Sequence, residues 1–202
     1  MSPDPDTELI RTCQRSSLAG LDGPFRELYE LYKDRVYNVC YRITGNPSDA
    51  LDAAQETFGI LFRKLGGFRF QSKFSSWVYR ISVNASIDLK RRSRARSLVS
   101  LDELQEFDEH QSARFHPSDE KPEMPIHAAS RHELEHEVQR AISSLSPKLR
   151  TITVLRYIES QSYEEIADTL QISLGTVKSR LSRAHDILDQ RLTPILDRYY
   201  LG

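Results

Sequence analysis

The sequence predicts an all-α protein built from two small helical domains joined by a flexible linker. Apolar residues recur at helical spacing through residues 24–92 and again through 131–192. Ser, Asn, Pro and Gly punctuate both stretches where helices start and stop. Between them, residues 93–130 lack sustained periodicity and are rich in Ser, Pro, His and acidic side chains. A structureless connection of that length does not belong inside one compact domain. A chain of 202 residues has room for two small cores.

Composition narrows the partners. With 28% charged and 39% hydrophobic residues and a formal net charge of −1, the chain has no global positive field. The charge is segregated, however: Lys90, Arg91, Arg92, Arg94 and Arg96 form a basic run, and 102–123 is largely acidic. Met1–Asp6 lacks the apolar core of a signal peptide, and no apolar run approaches membrane-spanning length, so a soluble cytoplasmic protein without membrane insertion is expected. Cys13 and Cys40 lie far apart without metal-ligand spacing, and Cys40 falls in an apolar helical pattern that suits core packing. No cofactor is expected.

Residues 1–23 read as a mobile or partly helical N-terminal arm, ending at Leu21-Asp22-Gly23-Pro24, a turn that also starts a helix. Leu28, Tyr29, Tyr32, Val36, Val39, Cys40 and Ile43 keep helical spacing up to Gly45. Asn46-Pro47 opens a second helix with Leu51, Ala54, Phe58, Leu61, Phe62 and Leu65 as its stripe, stopped by Gly66-Gly67. The two should pack antiparallel. The polar side of the second holds Asp49, Asp52, Gln55 and Glu56, with Arg63 and Lys64 at its end, an order that the helix dipole alone would favour. Ile60 projects opposite the stripe, and an exposed apolar residue beside carboxylates points to a partner surface.

In Phe68, Arg69, Phe70, Gln71, Ser72, Lys73 and Phe74, aromatic and basic residues interleave. Such a loop either folds its rings into the core or stacks bases and binds phosphates of a single strand. A third helix follows through Phe74, Trp77, Val78, Ile81 and Ala85, with Arg80, Asn84, Asp88 and the basic run on or near its outer side. In the linker, a short helix is expected near 101–107. From Arg131, Leu134, Val138, Ile142 and Leu145 mark a helix, and Ser146-Pro147 opens another. The tail, 193–202, is unassigned.

Ser162 and Glu165 form a capping box before a short helix with Ile166, Ala167 and Leu170 on one face. After a tight connection at Gln171-Ile172, Ser173 caps a longer helix. Val177, Leu181, Ala184 and Leu188 fall on one stripe of it, and Gly175, Thr176, Ser179, Ser182 and Arg183 project to the other side. A small, polar, basic face suits entry into a DNA major groove, where Lys178 or Arg183 reaches guanine edges or phosphates; an ordinary amphipathic hairpin is the alternative.

Two blocks carry a family resemblance. Asp49 to Phe58, with Phe68-Arg69 and Phe74-Ser-Ser-Trp77-Val-Tyr79-Arg80-Ile-Ser-Val-Asn84, resembles region 2 of the extracytoplasmic-function (ECF) group of bacterial sigma-70 family factors. Leu145-Ser-Pro-Lys-Leu-Arg150, Ser162-Tyr-Glu-Glu-Ile-Ala167 and Gly175-Thr-Val-Lys-Ser-Arg180 resemble its region 4. The resemblance implies region 2 over 24–92, the linker over 93–130 and region 4 over 131–192, in a non-catalytic subunit that binds core RNA polymerase and opens promoter DNA. Asp49, Asp52, Gln55 and Glu56 would dock on the clamp helices of the largest polymerase subunit. Residues 68–74, with Trp77, Arg80 and Asn84, would form a pocket for a base flipped from the melting strand, and Lys90, Arg91 and Arg92 would hold nearby phosphates. Arg156, Gly175, Lys178, Ser179, Ser182 and Arg183 match positions facing the upstream promoter element. An anti-sigma factor is a further candidate partner. Members of the group often carry a small residue and an acid where this chain has Phe70-Gln71, and Gly59-Ile60 replaces a larger apolar residue and a base.

Two other functions fit parts of the chain. His132-Glu133-Leu134-Glu135-His136 has the H-E-x-x-H spacing of zinc hydrolases, although no enclosing pocket or third ligand is evident. A regulator using only the C-terminal helix-turn-helix would leave the carboxylate face and aromatic loop without a task.

Overall fold

The computed structural model describes residues 6–15, 23–99 and 125–200, which contain helices and no strand. The first lobe comprises α1 (Thr7–Arg15), α2 (Pro24–Thr44), α3 (Pro47–Lys64), a 3-10 turn (Leu65–Gly67) and α4 (Phe74–Val99). The second comprises α5 (Pro125–Ser144), α6 (Pro147–Thr153), a π-helical turn (Val154–Ile158), α7 (Tyr163–Leu170) and α8 (Leu174–Tyr200).

Local signals set the α2–α3 corner. Pro24 supplies the first-turn φ of α2, and Gly45, at φ 76°, ends it by donating its N–H to the Tyr41 carbonyl. Asn46 then caps α3, its side-chain oxygen accepting the Asp49 N–H at 3.0 Å. The buried face of α3 is Ala50, Ala53, Ala54, Thr57 and Leu61, of which all but Leu61 are small and let α2 and α4 come close. That phase differs from the expected stripe in two places. Leu51 stands out at 54% exposure, and Ile60, expected to be exposed, is partly buried against the core.

The first core gathers Leu28, Tyr32, Val36 and Cys40 of α2 with Leu61, Leu65, Phe74 and Val78. Burial pushes the Cys40 thiol up to about 11, as expected of a packing residue. Ile10 and Cys13 belong to the same core, so part of the N-terminal arm is a docked helix. Tyr32 donates its hydroxyl to the Asp6 carboxylate, tying the start of α1 to α2.

Helix also extends into the expected linker from both sides, since α4 runs to Val99 and α5 begins at Pro125. The short helix expected at 101–107 lies outside the described residues. The C-terminal tail continues α8 through Pro194.

The two lobes share a core. Ile142, Ile152, Val154, Leu155, Ile166, Val177 and Leu181 pack with Val39 and Ile43 of α2 and Tyr79 and Val83 of α4. Arg150, buried at this junction, donates to the carbonyls of Ile142 at 3.2 Å, Leu145 at 3.1 Å and Ile43 at 2.7 Å, and also to that of Ser143. It therefore satisfies orphan carbonyls at the C-terminal ends of both α5 and α2.

Gly59 lies inside α3, where an added Cβ would meet only the mobile end of Arg63, at 3.3 Å. Gly59→Ala should stabilise the chain by about 0.5–1 kcal/mol, measured by denaturant unfolding, because glycine costs a helix interior that much relative to alanine.

Candidate nucleic-acid interface

The loop between the 3-10 turn and α4 gathers aromatic rings. Phe68 has ring centroids 5.0 Å from Phe70, 5.3 Å from Phe74 and 5.0 Å from Trp77. Phe74 is wholly buried, against the expectation of a direct nucleic-acid contact; it meets Tyr32 edge to face at 5.5 Å and forms the floor of the cluster. Phe68, Phe70 and Trp77 are partly exposed above it. Phe70 has φ 55°, a left-handed conformation unusual for a bulky residue. Arg69, Gln71 and Lys73 are exposed around the rings, and Ser72 is partly so. This arrangement offers faces for stacking and cations for phosphates.

On α4, Asn84 is exposed and Arg80 partly exposed. The basic run divides by role. Lys90 is half-buried and donates to the Thr44 carbonyl at 3.1 Å, so it caps α2, and burial lowers its pKa. Arg91 and Arg92 are exposed, Arg91 standing 3.5 Å from Asp88.

The second lobe presents the expected helix-turn-helix. The Glu165 N–H donates to Ser162 Oγ at 3.1 Å, and the Ser162 N–H to the Glu165 carboxylate at 2.8 Å, closing the capping box. Gln171, at φ 53°, turns the chain, and Ser173 caps α8 by accepting the Thr176 N–H at 3.2 Å. Val177, Leu181 and Ala184 are buried. Gly175, Lys178, Ser179, Ser182 and Arg183 are exposed on the opposite face, with Thr176 partly covered. Arg156 is held inside the lobe, donating to the Gln161 carbonyl at 2.8 Å and lying 5.3 Å from the Tyr163 ring centre.

On α3, Leu51, Asp52, Gln55 and Glu56 are exposed together and Asp49 partly so. Leu51, not Ile60, is thus the apolar residue beside the carboxylates; reading the stripe by its small residues would have found it. The H-E-x-x-H segment lies in α5, where Glu133 and His136 are exposed, and no group of three ligand-type side chains that could hold a metal occurs among the described residues.

Comparison with known proteins agrees with this layout. Family models of sigma-70 region 2 and sigma-70 region 4 match residues 28–96 and 135–185. The ECF RNA polymerase sigma factor SigW of Bacillus subtilis is 33% identical over 178 residues, covering 86% of this chain and 91% of that protein. The chain belongs to the ECF group of sigma-70 family factors. The RNA polymerase sigma-H factor of Pseudomonas aeruginosa, 31% identical, covers 97% of this sigma factor and 98% of its own length. The fold also matches two solved complexes at 22% identity. These are the sigma factor RpoE with the anti-sigma factor NepR from Bartonella quintana (TM-score 0.63, 84% of this chain, 96% of that one) and CnrH with the cytosolic domain of CnrY (TM-score 0.65, 94% and 97%). Sigma factors bind core RNA polymerase and promoter DNA, so neither the zinc-hydrolase reading nor the lone-regulator reading is favoured. No helix among the described residues is long and apolar enough to cross a membrane.

Between its lobes the sigma factor holds a polar contact that no local sequence signal announces. The Tyr79 hydroxyl and Arg35 lie near the Glu159 carboxylate. Burial raises the Glu159 pKa, and these two neighbours only partly oppose this. Lys73 pairs with Glu165 across the same junction and holds that carboxyl low.

The two carboxyls act with opposite sign. Because its folded pKa is raised, Glu159 stabilises the fold fully below its ordinary value of 4.5, and loses that contribution as pH rises through the folded value. Glu165, with a lowered pKa, loses its contribution only as pH falls through its folded value. Glu159→Gln should therefore leave stability nearly unchanged at acidic pH and raise it relative to wild type above the Glu159 pKa, read from unfolding midpoints across pH.

Proposed function

We propose that this sigma factor divides promoter opening among three surfaces. The α3 face of Leu51, Asp52, Gln55 and Glu56, with Asp49 beside it, docks on a basic helical surface of core RNA polymerase. Phe68, Phe70 and Trp77 receive an unstacked base of the melting strand, while Arg69, Lys73, Arg80, Arg91 and Arg92 neutralise its phosphates and Asn84 hydrogen-bonds a base or sugar. The α8 face of Gly175, Lys178, Ser179, Ser182 and Arg183 enters the major groove of the upstream promoter element. Residues 24–92 and 131–192 serve as the melting and upstream-reading units.

The observation that carries this reading is the partly exposed aromatic cluster within one lobe and the capped, small-faced α8 of the other. Unstacking a base costs a few kcal/mol, and stacking on aromatic side chains returns about 1–3 kcal/mol for each base. Strands can thus separate by capture, without nucleotide hydrolysis or catalysis by the factor itself. Gly175 supports the groove assignment, since an added Cβ would meet only Ser173 Oγ, at 3.9 Å. Nothing else among the described residues fills that space, and a closely approaching DNA backbone would. The factor works in the cytoplasm, and its two fold neighbours in anti-sigma complexes support a partner of that class here.

Run-off transcription from a genomic promoter library, with core polymerase free of other sigma factors, tests this directly. Specific starts should require the protein. Trp77→Ala should abolish opening while core binding persists, and Arg183→Ala should cost about 1–3 kcal/mol of promoter affinity and relax specificity at one upstream position. DNA binding without core association or opening would overturn the assignment.

A further inference from the structure

We propose that α1 is part of the melted-strand site, with Gln14 as a positioning residue for the aromatic loop and Arg11 as a cation at its rim. This inference rests on the role of the Phe68–Phe70 cluster given above.

The α1 helix reaches that cluster at two points. The Gln14 side-chain amide donates to the Leu65 carbonyl at 3.0 Å and to the Phe68 carbonyl at 2.9 Å. The Phe68 N–H itself donates to the Leu65 carbonyl at 3.1 Å, so a single amide holds both ends of the 3-10 turn that delivers Phe68. The Arg11 guanidinium lies 5.5 Å from the Phe70 ring centre, over its face. That contact, with the edge of Phe68, supports a residue in the left-handed backbone region.

The helix is fixed from behind by Ile10 and Cys13 in the core and by the bond from Tyr32 to Asp6. A helix anchored so far from the loop in sequence, yet bonded to the loop backbone, sets where the rings stand before any base arrives. Capture depends on such preorganisation, because rings that had to be ordered on binding would return less of the unstacking cost. Arg11 is exposed and lies over the Phe70 ring, and so adds positive charge where a strand would pass.

The test uses the reconstituted holoenzyme on a promoter fragment that the wild type opens, carrying an abasic site at each non-template position of the melted segment in turn. With Gln14→Leu, which keeps side-chain size but cannot donate, open complexes should fall about tenfold at unchanged core affinity. The abasic penalty at the captured position should shrink in that variant and stay the same elsewhere, a coupling that a general loss of stability would not produce. Arg11→Met should weaken opening about three- to tenfold and lower the dependence of log affinity on log salt by about one unit. In the free factor, emission from Trp77, the only tryptophan of this chain, should change with Gln14→Leu and not with the control Arg15→Ala.

Abasic penalties that add independently at every position, or wild-type opening by both variants, would overturn the proposal. If Gln14→Leu fails to fold, a wild-type salt slope for Arg11→Met overturns it alone. Failure of the wild-type holoenzyme to open any promoter would be a distinct result, removing the parent reading along with this one.

Discussion

The structure depends on where the charge of Arg150 is placed. Two helices, α2 and α5, end at the same point in the interior, and each helix end leaves carbonyls that its own backbone cannot satisfy. Their dipoles also add partial negative charge there. Arg150 brings a permanently charged fork of donors to both ends, reaching Ile43 in one lobe and Ile142, Ser143 and Leu145 in the other. Lys90 adds the Thr44 carbonyl from α4. An apolar residue at 150 could fill the space but would leave buried acceptors unpaired, at a cost of about 1–3 kcal/mol each.

From that junction the functional surfaces follow. Ile43 and Val39 continue past Arg150 into the shared core, which seats α7 against α4. Tyr79 and Val83 face this core, while Asn84 is exposed and Arg80 partly so. Lys73 serves both lobes: it belongs to the aromatic loop and pairs with Glu165, the residue that caps α7. In this arrangement part of the loop's positive charge is already neutralised by the second lobe, whereas α8 keeps Lys178 and Arg183 exposed. The aromatic loop and α8 are therefore linked through the Lys73–Glu165 pair, the bonds of Arg150 and a shared apolar layer.

What could be read from the sequence divides along a physical line. The capping box at Ser162, the Gly45–Asn46–Pro47 corner and the outward face of α8 are encoded within a few residues, and local spacing describes them well. The large apolar residues of α3 are out of phase with its buried face, which is set by Ala50, Ala53 and Thr57, whose smallness allows close helix packing. Leu51 is therefore exposed and Ile60 partly buried, the reverse of what the large residues alone predict. Contacts between distant positions left no local trace: Gln14 meets Leu65 and Phe68, and Arg150 meets Ile43. Cations such as Lys90 and Arg156 read naturally as nucleic-acid contacts because the sequence does not show the carbonyls they cap.

Arg150 holds the two lobes as one body in the free protein. Pulsed electron spin resonance between labels at Ser48→Cys on α3 and Asp186→Cys on α8, both at exposed sites, with Cys13 and Cys40 buried, measures this directly. A single narrow distance distribution that broadens in Arg150→Ala, with each lobe still helical, is the predicted result. A distribution already broad in the wild type, and unchanged by Arg150→Ala, would contradict it.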